Sequence, residues 1–304
     1  MITACVPDQS SRDQLEPLPD GVRVLVWDGK SEPPDGVEET EFLLGSYTGG
    51  PVAGTVLAAM PRLRVIQLLS AGVERWLPLV PDGVTLCNGR GVHGGATAEL
   101  AVAGILALVR RLPFFLGEQA AQRWSQEATD DVDGKRLLAI GAGDIGRRVA
   151  AALEVFGAET TFVGRSARDG VHGTDELPAL LAAADIVLIA IPATDETHGL
   201  VGAKFLATLP DGAIVVNIAR GSIVDTDALL AELQAERLHA FLDVTDPEPL
   251  PADHPLWQAP NLIITPHVGG GTHGWERRGY RLVREQLERF VSGAELENVV
   301  GEAY

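Results

Sequence analysis

Residues 136–157 read RLLAIGAGDIGRRVAAALEVFG: an apolar run with strand character, a glycine turn, and a stretch with helical character. Within Gly141-Ala142-Gly143-Asp144-Ile145-Gly146 each glycine has a separate task. Gly141 allows the tight turn, Gly143 lets the backbone approach a pyrophosphate, and Gly146 lets helix and strand pack closely. An anion then meets the amides of the first helical turn, where the macrodipole favours negative charge. A lone Gly-x-Gly-x-x-Gly is weak evidence. At a strand-to-helix junction inside a βαβ unit it predicts a dinucleotide site, with Gly141, Gly143, Asp144, Ile145 and Gly146 around the phosphates.

Working outward, the runs RLLAIGAG (136–143), ETTFVG (159–164), DIVLIAIP (185–192), AIVVNIAR (213–220), LHAFLDVT (238–245) and NLIITPH (261–267) are almost continuously apolar. That is the pattern of parallel strands covered on both faces by crossover helices. Upstream, VRVLVW (22–27), FLLGS (42–46), RVIQLLS (64–70) and VTLCNG (84–89) repeat the alternation of short apolar runs with helical stretches. An apolar helix from Ala96 to Leu112, ended by Pro113, joins the two series. The charged helical segment Trp275 to Val291 has no further strand to serve, so it is expected to pack back on the first series. The predicted fold is α/β, with two Rossmann-like, doubly wound parallel-sheet domains and a cleft between them. A flavodoxin-like substrate domain takes residues 1–97 plus 272–304, and the dinucleotide-binding domain takes 98–271. Hinges are expected near 96–100 and 268–275, where Gly269-Gly270-Gly271 suits one.

The composition agrees with that size and class. A chain of 304 residues suits two domains, and 46% hydrophobic with 22% charged residues excludes disordered and collagen-like chains. The sum of 24 basic and 42 acidic residues is −18, a field that repels nucleic acids and anionic membranes, so neither is an expected partner. Any anionic ligand needs local positive charge. Cys5 and Cys87 cannot build a disulfide framework or a four-cysteine zinc site, and MITACVPDQSSRDQLEPLPD has no basic and apolar leader. A cytoplasmic setting is expected. The apolar stretch Leu100 to Val109 is about half a membrane span. His93, His172, His198, His239, His254 and His273 show no metal-ligand spacing, so no metal is expected.

After the second strand of the dinucleotide series the chain reads Val163-Gly164-Arg165-Ser166-Ala167-Arg168, with no carboxylate to take a ribose 2′-hydroxyl. Asp169 lies too far along. Arg165, Ser166 and Arg168 instead suit a 2′-phosphate, which predicts NADP(H) as the preferred cofactor with NAD(H) still usable. Three polar residues follow later strands: Arg220 after AIVVNIA, Glu248 beyond LHAFLDVT, and His267 after NLIITP. Ligands of open α/β sheets bind at such strand ends. Reducing a 2-oxo acid needs a cation to hold the carboxylate and polarise the ketone, a proton donor to the developing alkoxide, and a group that keeps that donor protonated. Arg220, His267 and Glu248 fill these roles, with Glu248 favouring the imidazolium form of His267.

The motifs RVIQLLSAGVERW, GAGDIG, LIAIPATDETHGLV, VVNIARGSIVD, FLDVTDPEPLPADHPLW and ITPHVGGGT, in this order, resemble those of the D-isomer-specific 2-hydroxyacid dehydrogenase family. The style is closest to its NADPH-dependent glyoxylate and hydroxypyruvate reductases. The resemblance implies that Arg220, Glu248 and His267 are catalytic, and that Arg220 and His267 also hold the substrate. It implies that backbone amides of Ser70-Ala71-Gly72-Val73 grip the substrate carboxylate. Asp243 would receive the nicotinamide carboxamide, Thr97 would stand on the nicotinamide side, Thr197 near the pyrophosphate, and Pro192 beside the adenosine half. It further implies a homodimer built through the helix 96–112 and the following LPFFLGEQAAQRW. Trp124, Trp257 and Trp275 are candidates for the cleft, a subunit contact or ordinary packing. The loop from Tyr47 to Pro51 and the region of Trp257 are expected to set substrate size. Thr245, where relatives commonly have Phe, and the triple glycine are departures. Glu248 in place of glutamine argues against formate. Two alternatives stay open: an NAD(P)-sensing binding protein of the same fold, or a dehydrogenase of phosphite or of a bulkier 2-oxo acid.

Overall fold

The continuously apolar runs form parallel strands in the computed structural model, which describes residues 1–45 and 52–301. The loop 47–51 lies outside the described residues. By its contacts the chain divides into two units, Met1–His93 with Thr272–Tyr304, and Gly94–Gly271. The first crossing follows His93, a few residues before the 97/98 boundary read from the sequence.

The first unit contains β1 (Ile2–Val6), α1 (Gln9–Gln14), β2 (Val22–Val26), β3 (Thr40–Leu44), α2 (Val52–Ala58), β4 (Val65–Gln67) and β5 (Thr85–Cys87). Their order is β2-β1-β3-β4-β5, all parallel, which is the flavodoxin order. Alternate side chains of β1 serve opposite faces: Cys5 packs with Leu43, Ile66 and Trp76, and Ala4 and Val6 pack with Phe42, Leu44 and Val65. The sequence reading does not find β1, although it lies inside the sheet. Its five residues ITACV are short and carry Thr3 and Cys5 among apolar neighbours.

The second unit runs through α3 (Gly94–Val109), α4 (Leu112–Ala120), β6 (Arg136–Ile140), α5 (Asp144–Glu154), β7 (Glu159–Val163), α6 (Leu177–Leu181), β8 (Ile186–Ile189), α7 (Ala203–Thr208), β9 (Ile214–Asn217), α8 (Thr226–Gln234), β10 (His239–Leu242) and β11 (Leu262–Ile264). All six expected strands are present, in the parallel order β11-β10-β9-β8-β6-β7. Ile186 to Ile189 are fully buried, each aliphatic side chain contributing roughly 1.5–3 kcal/mol. The order turns back between β6 and β8, so the crevice outside their carboxyl ends is the topological switch point.

Pro113 does not end the long helix as the sequence reading has it. The break comes at Arg111, whose φ is 50°, and Pro113 sits in the first turn of α4. A missing N–H costs nothing there, because the first helical turn has no intrahelical acceptor for it. No single helix among the described residues is long and apolar enough to cross a membrane. The pair α3 and α4 passes only by length and composition and is bent by 68°.

The helix α9 (Trp275–Ser292) packs on the first unit, burying Val283 and Leu287. Its Tyr280 hydroxyl lies 2.9 Å from Ser11 Oγ, and Gln286 Nε2 donates to Gln67 Oε1 at 2.9 Å. The helix ends at Gly293 with φ 71°, a left-handed stop.

Candidate active site

The glycine turn after β6 separates what the chain's packing needs from what a ligand needs. At Gly141, φ is 111° and a Cβ would overlap the Ala190 carbonyl; at Gly146 a Cβ would overlap the carbonyl of Gly141. Both glycines are fixed by the chain itself. At Gly143, the N-cap of α5, a Cβ would meet nothing within 4 Å. The open space lies over backbone at a helix N-terminus, and it fits a pyrophosphate. Ile145 packs partly buried on the core under α5. Asp144 Oδ1 accepts from Arg148 Nε at 2.8 Å, and its other oxygen is buried against Gly94 without a hydrogen bond. Arg147, which the sequence reading passes over, donates to the Ala142 carbonyl at 3.1 Å and lies over the Phe162 ring, tying the turn to β7.

Beyond β7 the arginines are held in different ways. Arg168 exchanges backbone hydrogen bonds with Val171, each 2.9 Å, and its Nη1 lies 2.9 Å from the place of a Cβ on Gly164. Arg165 Nη2 is 3.6 Å from Glu196 Oε2 in the loop after β8. Ser166 is exposed beside them. In that loop the Thr197 hydroxyl accepts from the Thr194 amide at 2.8 Å and donates to the Pro192 carbonyl at 2.9 Å. Pro192 and Thr197 therefore belong to one side-chain-closed turn.

At the end of β9 the buried Asn217 accepts from the Ala219 amide at 3.1 Å and donates to the Arg220 carbonyl at 2.8 Å. This sets Arg220 in extended backbone, with Nη1 donating to the Ala219 carbonyl at 2.8 Å. Gly221 packs directly on the Thr245 carbonyl, where any Cβ would overlap it. The chain from β10 to Glu248 is pinned by Thr245 Oγ1 donating to the Pro247 carbonyl and Thr226 Oγ1 donating to the Asp246 carbonyl. Glu248 Oε1 then lies 2.6 Å from His267 Nδ1. A carboxylate there assigns the proton to Nδ1.

His267 has φ 54°, a conformation that costs a non-glycine residue free energy and needs support. Asp243 supplies it. Its carbonyl accepts from the His267 amide at 2.7 Å, and its carboxylate, 2% exposed, accepts from Thr265 Oγ1 (2.6 Å), the Val268 amide (2.9 Å) and the Gly269 amide (2.9 Å). Three of its acceptor positions are taken by the loop that carries the histidine, which leaves room for one further donor. Gly269 is required by close approach, since a Cβ would stand 2.8 Å from Asp243 Oδ2 and 3.3 Å from Thr97 Cγ2. Thr97 is thereby brought beside the Asp243 loop.

In the first unit, Ser70 Oγ donates to the Gly72 carbonyl at 2.8 Å, and Val73 is buried. The Gly89 amide donates to the Ser70 carbonyl at 2.7 Å, and His93 Nε2 lies 3.0 Å from the Leu69 carbonyl. The Ser70–Val73 turn is thus closed by its own serine and anchored on its flank.

A cavity of about 260 Å³ opens at the opposite, amino edge of the second sheet, lined by Leu108, Arg111, Asp130, Lys135, Asp185, Asp211 and His239 among others. Every charged group in it has an ion-pair partner: Lys135 with Asp130, Arg111 with Glu127, Asp185 with Arg136, and Asp211 with Arg237. Burial, together with the charge of Arg111, holds His239 below its ordinary pKa. Among the described residues no group of three His, Cys, Asp or Glu stands together to hold a metal ion. Cys5 and Cys87 are free thiols, pushed by burial to about 12 and about 11.

The family model for the D-isomer specific 2-hydroxyacid dehydrogenase, NAD binding domain, matches residues 102–269. A glyoxylate/hydroxypyruvate reductase B of Yersinia enterocolitica is 29% identical over 287 residues, covering 90% of this chain and 87% of that one. The crystal structure of a D-isomer specific 2-hydroxyacid dehydrogenase from Xanthobacter autotrophicus Py2, in complex with NADPH and MES, matches with TM-score 0.85 and 29% identity over 98% of both chains. The NADPH-dependent glyoxylate/hydroxypyruvate reductase of Sinorhizobium meliloti in complex with NADP and sulfate gives TM-score 0.85 over 100% of this chain and 99% of that one. At 23% identity it speaks for the fold alone.

Proposed function

The chain belongs to the D-isomer specific 2-hydroxyacid dehydrogenase family and is an oxidoreductase with that family's NAD-binding domain, and from this premise we propose that it reduces a small 2-oxo acid, of the size of glyoxylate or hydroxypyruvate, to the D-2-hydroxy acid with NADPH. The observation that carries the reading is the His267–Glu248 pair at 2.6 Å, which joins the chain after β11 to the chain after β10, next to β9, which leads to Arg220.

The nicotinamide supplies the hydride when bound. Arg220 binds the substrate carboxylate and draws charge from the ketone oxygen as it becomes an alkoxide. His267 gives that oxygen its proton from Nε2, and Glu248 on Nδ1 balances the charge of the imidazolium. Asp243 keeps the histidine's loop in place and has one acceptor position left for the carboxamide; Thr97 stands beside it. Gly141, Gly143, Asp144, Ile145 and Gly146 cradle the pyrophosphate by backbone, with Thr197 and Pro192 in the adjoining loop. Arg165, Ser166 and Arg168 take the 2′-phosphate, and the amides of Ser70–Val73 take the substrate carboxylate from the first unit. A homodimer through α3, α4 and the residues that follow suits the exposed Leu112 and Leu116 of α4 and Trp124 beyond it, the last 92% exposed. A reducing cytoplasm suits the two free thiols.

The test is oxidation of NADPH and NADH in parallel against glyoxylate, hydroxypyruvate, pyruvate and larger 2-oxo acids. Faster turnover with NADPH on the two smallest oxo acids is expected. Cofactor binding without turnover on any 2-oxo acid would overturn the reading.

A further inference from the structure

The loops after β7 and β8 carry a charge pair of which the proposed function uses only the arginine. Arg165 and Glu196 approach to 3.6 Å, with side chains 64% and 75% exposed. As a stabilising contact such a surface pair is worth little. Its position matters more. Glu196 stands in the turn closed by the Thr197 hydroxyl, so its backbone is fixed relative to the strand ends. Arg168 is built in differently, tied by its backbone to Val171 and folded over Gly164. Of the two arginines offered to a 2′-phosphate, one is supported by its own hairpin and the other is shared with a carboxylate.

A carboxylate in contact with a phosphate-binding guanidinium cancels part of its charge and repels the incoming dianion. The chain's net charge of −18 provides no positive background to offset this. A cofactor without the 2′-phosphate meets neither effect. We propose that Glu196 is a specificity-determining residue: it competes with the 2′-phosphate for Arg165, lowering the preference for NADPH and leaving NADH usable. The proposal rests on the reading of Arg165, Ser166 and Arg168 as the 2′-phosphate site. Arg168, for which no ion pair with a carboxylate is found among the described residues, supplies the fixed part of the preference.

The test is calorimetric binding of 2′,5′-ADP and of ADP to the full-length protein and to its Glu196→Gln, Arg165→Gln and Arg165→Gln/Glu196→Gln variants. Glu196→Gln is expected to tighten 2′,5′-ADP about three- to tenfold at low salt, with ADP shifting less than about twofold. The gain should shrink as added salt shortens the Debye length below about 8 Å. In the Arg165→Gln background the Glu196→Gln change should bring a clearly smaller gain, the part that comes from direct repulsion alone. An unchanged or weakened 2′,5′-ADP affinity in Glu196→Gln, with Arg165→Gln still losing affinity, would overturn the role of Glu196 alone. Equal affinity of the unmodified protein for 2′,5′-ADP and ADP, unaffected by Arg165→Gln, would overturn the 2′-phosphate reading and the proposal together.

Discussion

The two ends of the six-stranded sheet use polar residues in opposite ways. At the carboxyl ends, Asp243 and Asn217 spend their hydrogen bonds on the loops that carry His267 and Arg220, and Glu248 fixes the histidine's tautomer. The buried groups there position other groups. At the amino ends, each charged residue around the 260 Å³ cavity is answered by a neighbouring opposite charge. A cavity with its charges mutually satisfied has little left to recognise a ligand, whereas oriented donors at the strand ends can do so. On the proposed reading, chemistry follows the strand direction and the switch point and not this cavity.

The contrast breaks most sharply at Arg220. Replacing Arg220 by Lys keeps a charge but loses the planar fork, and kcat/KM for the best oxo acid should fall by about 10²-fold or more. Folding should be retained, as judged by an unchanged melting temperature. A fall of less than threefold would show that the carboxyl-end site is misassigned.

Gly143 sharpens the same contrast within one turn. Because its Cβ would enter open space, Gly143→Val should abolish dinucleotide binding while costing only about 1 kcal/mol of stability through the weaker N-cap. Gly141→Val should instead unfold the turn, since φ is 111° and the Ala190 carbonyl occupies the position. Cofactor fluorescence and thermal melts of the two variants separate a ligand's requirement from the chain's.

Much of this was legible in the sequence, and the part that was not has a physical cause. The six strands of the second sheet are buried on both faces, so they read as continuous apolar runs, and Arg220, Glu248 and His267 are visible because each follows one of them. β1 escapes because ITACV is brief and mixed. Pro113 misleads because proline is as compatible with starting a helix as with ending one. Side-chain pairings across sequence leave no trace in a local pattern: Asp243 with Thr265 and Gly269, Arg165 with Glu196, and Arg147 over Phe162 become visible only when the strands are set side by side.

The amino end should yield the smallest effects. His239 is held below its ordinary pKa by burial and by Arg111, so the unfolded chain binds its proton at a higher pH than the folded one does. Its contribution leaves stability undiminished above about pH 6.5 and erodes it as pH falls below that value. His239→Asn should narrow the drop in melting temperature between pH 7.5 and pH 5.5 and leave kcat/KM within about twofold, the range for changes remote from the chemistry. Lost activity at constant pH would give the amino-end cavity a function and erase the contrast.

The most direct measurement is His267→Asn compared with the unmodified enzyme, reading NADPH binding by fluorescence and oxo-acid reduction by loss of nicotinamide absorbance. Cofactor binding should persist while kcat falls about 10²- to 10⁴-fold, the contribution of a positioned general acid. Unchanged turnover on every 2-oxo acid that the unmodified enzyme accepts would contradict the assignment of the proton donor, and with it the placement of the chemistry at the carboxyl ends of the sheet.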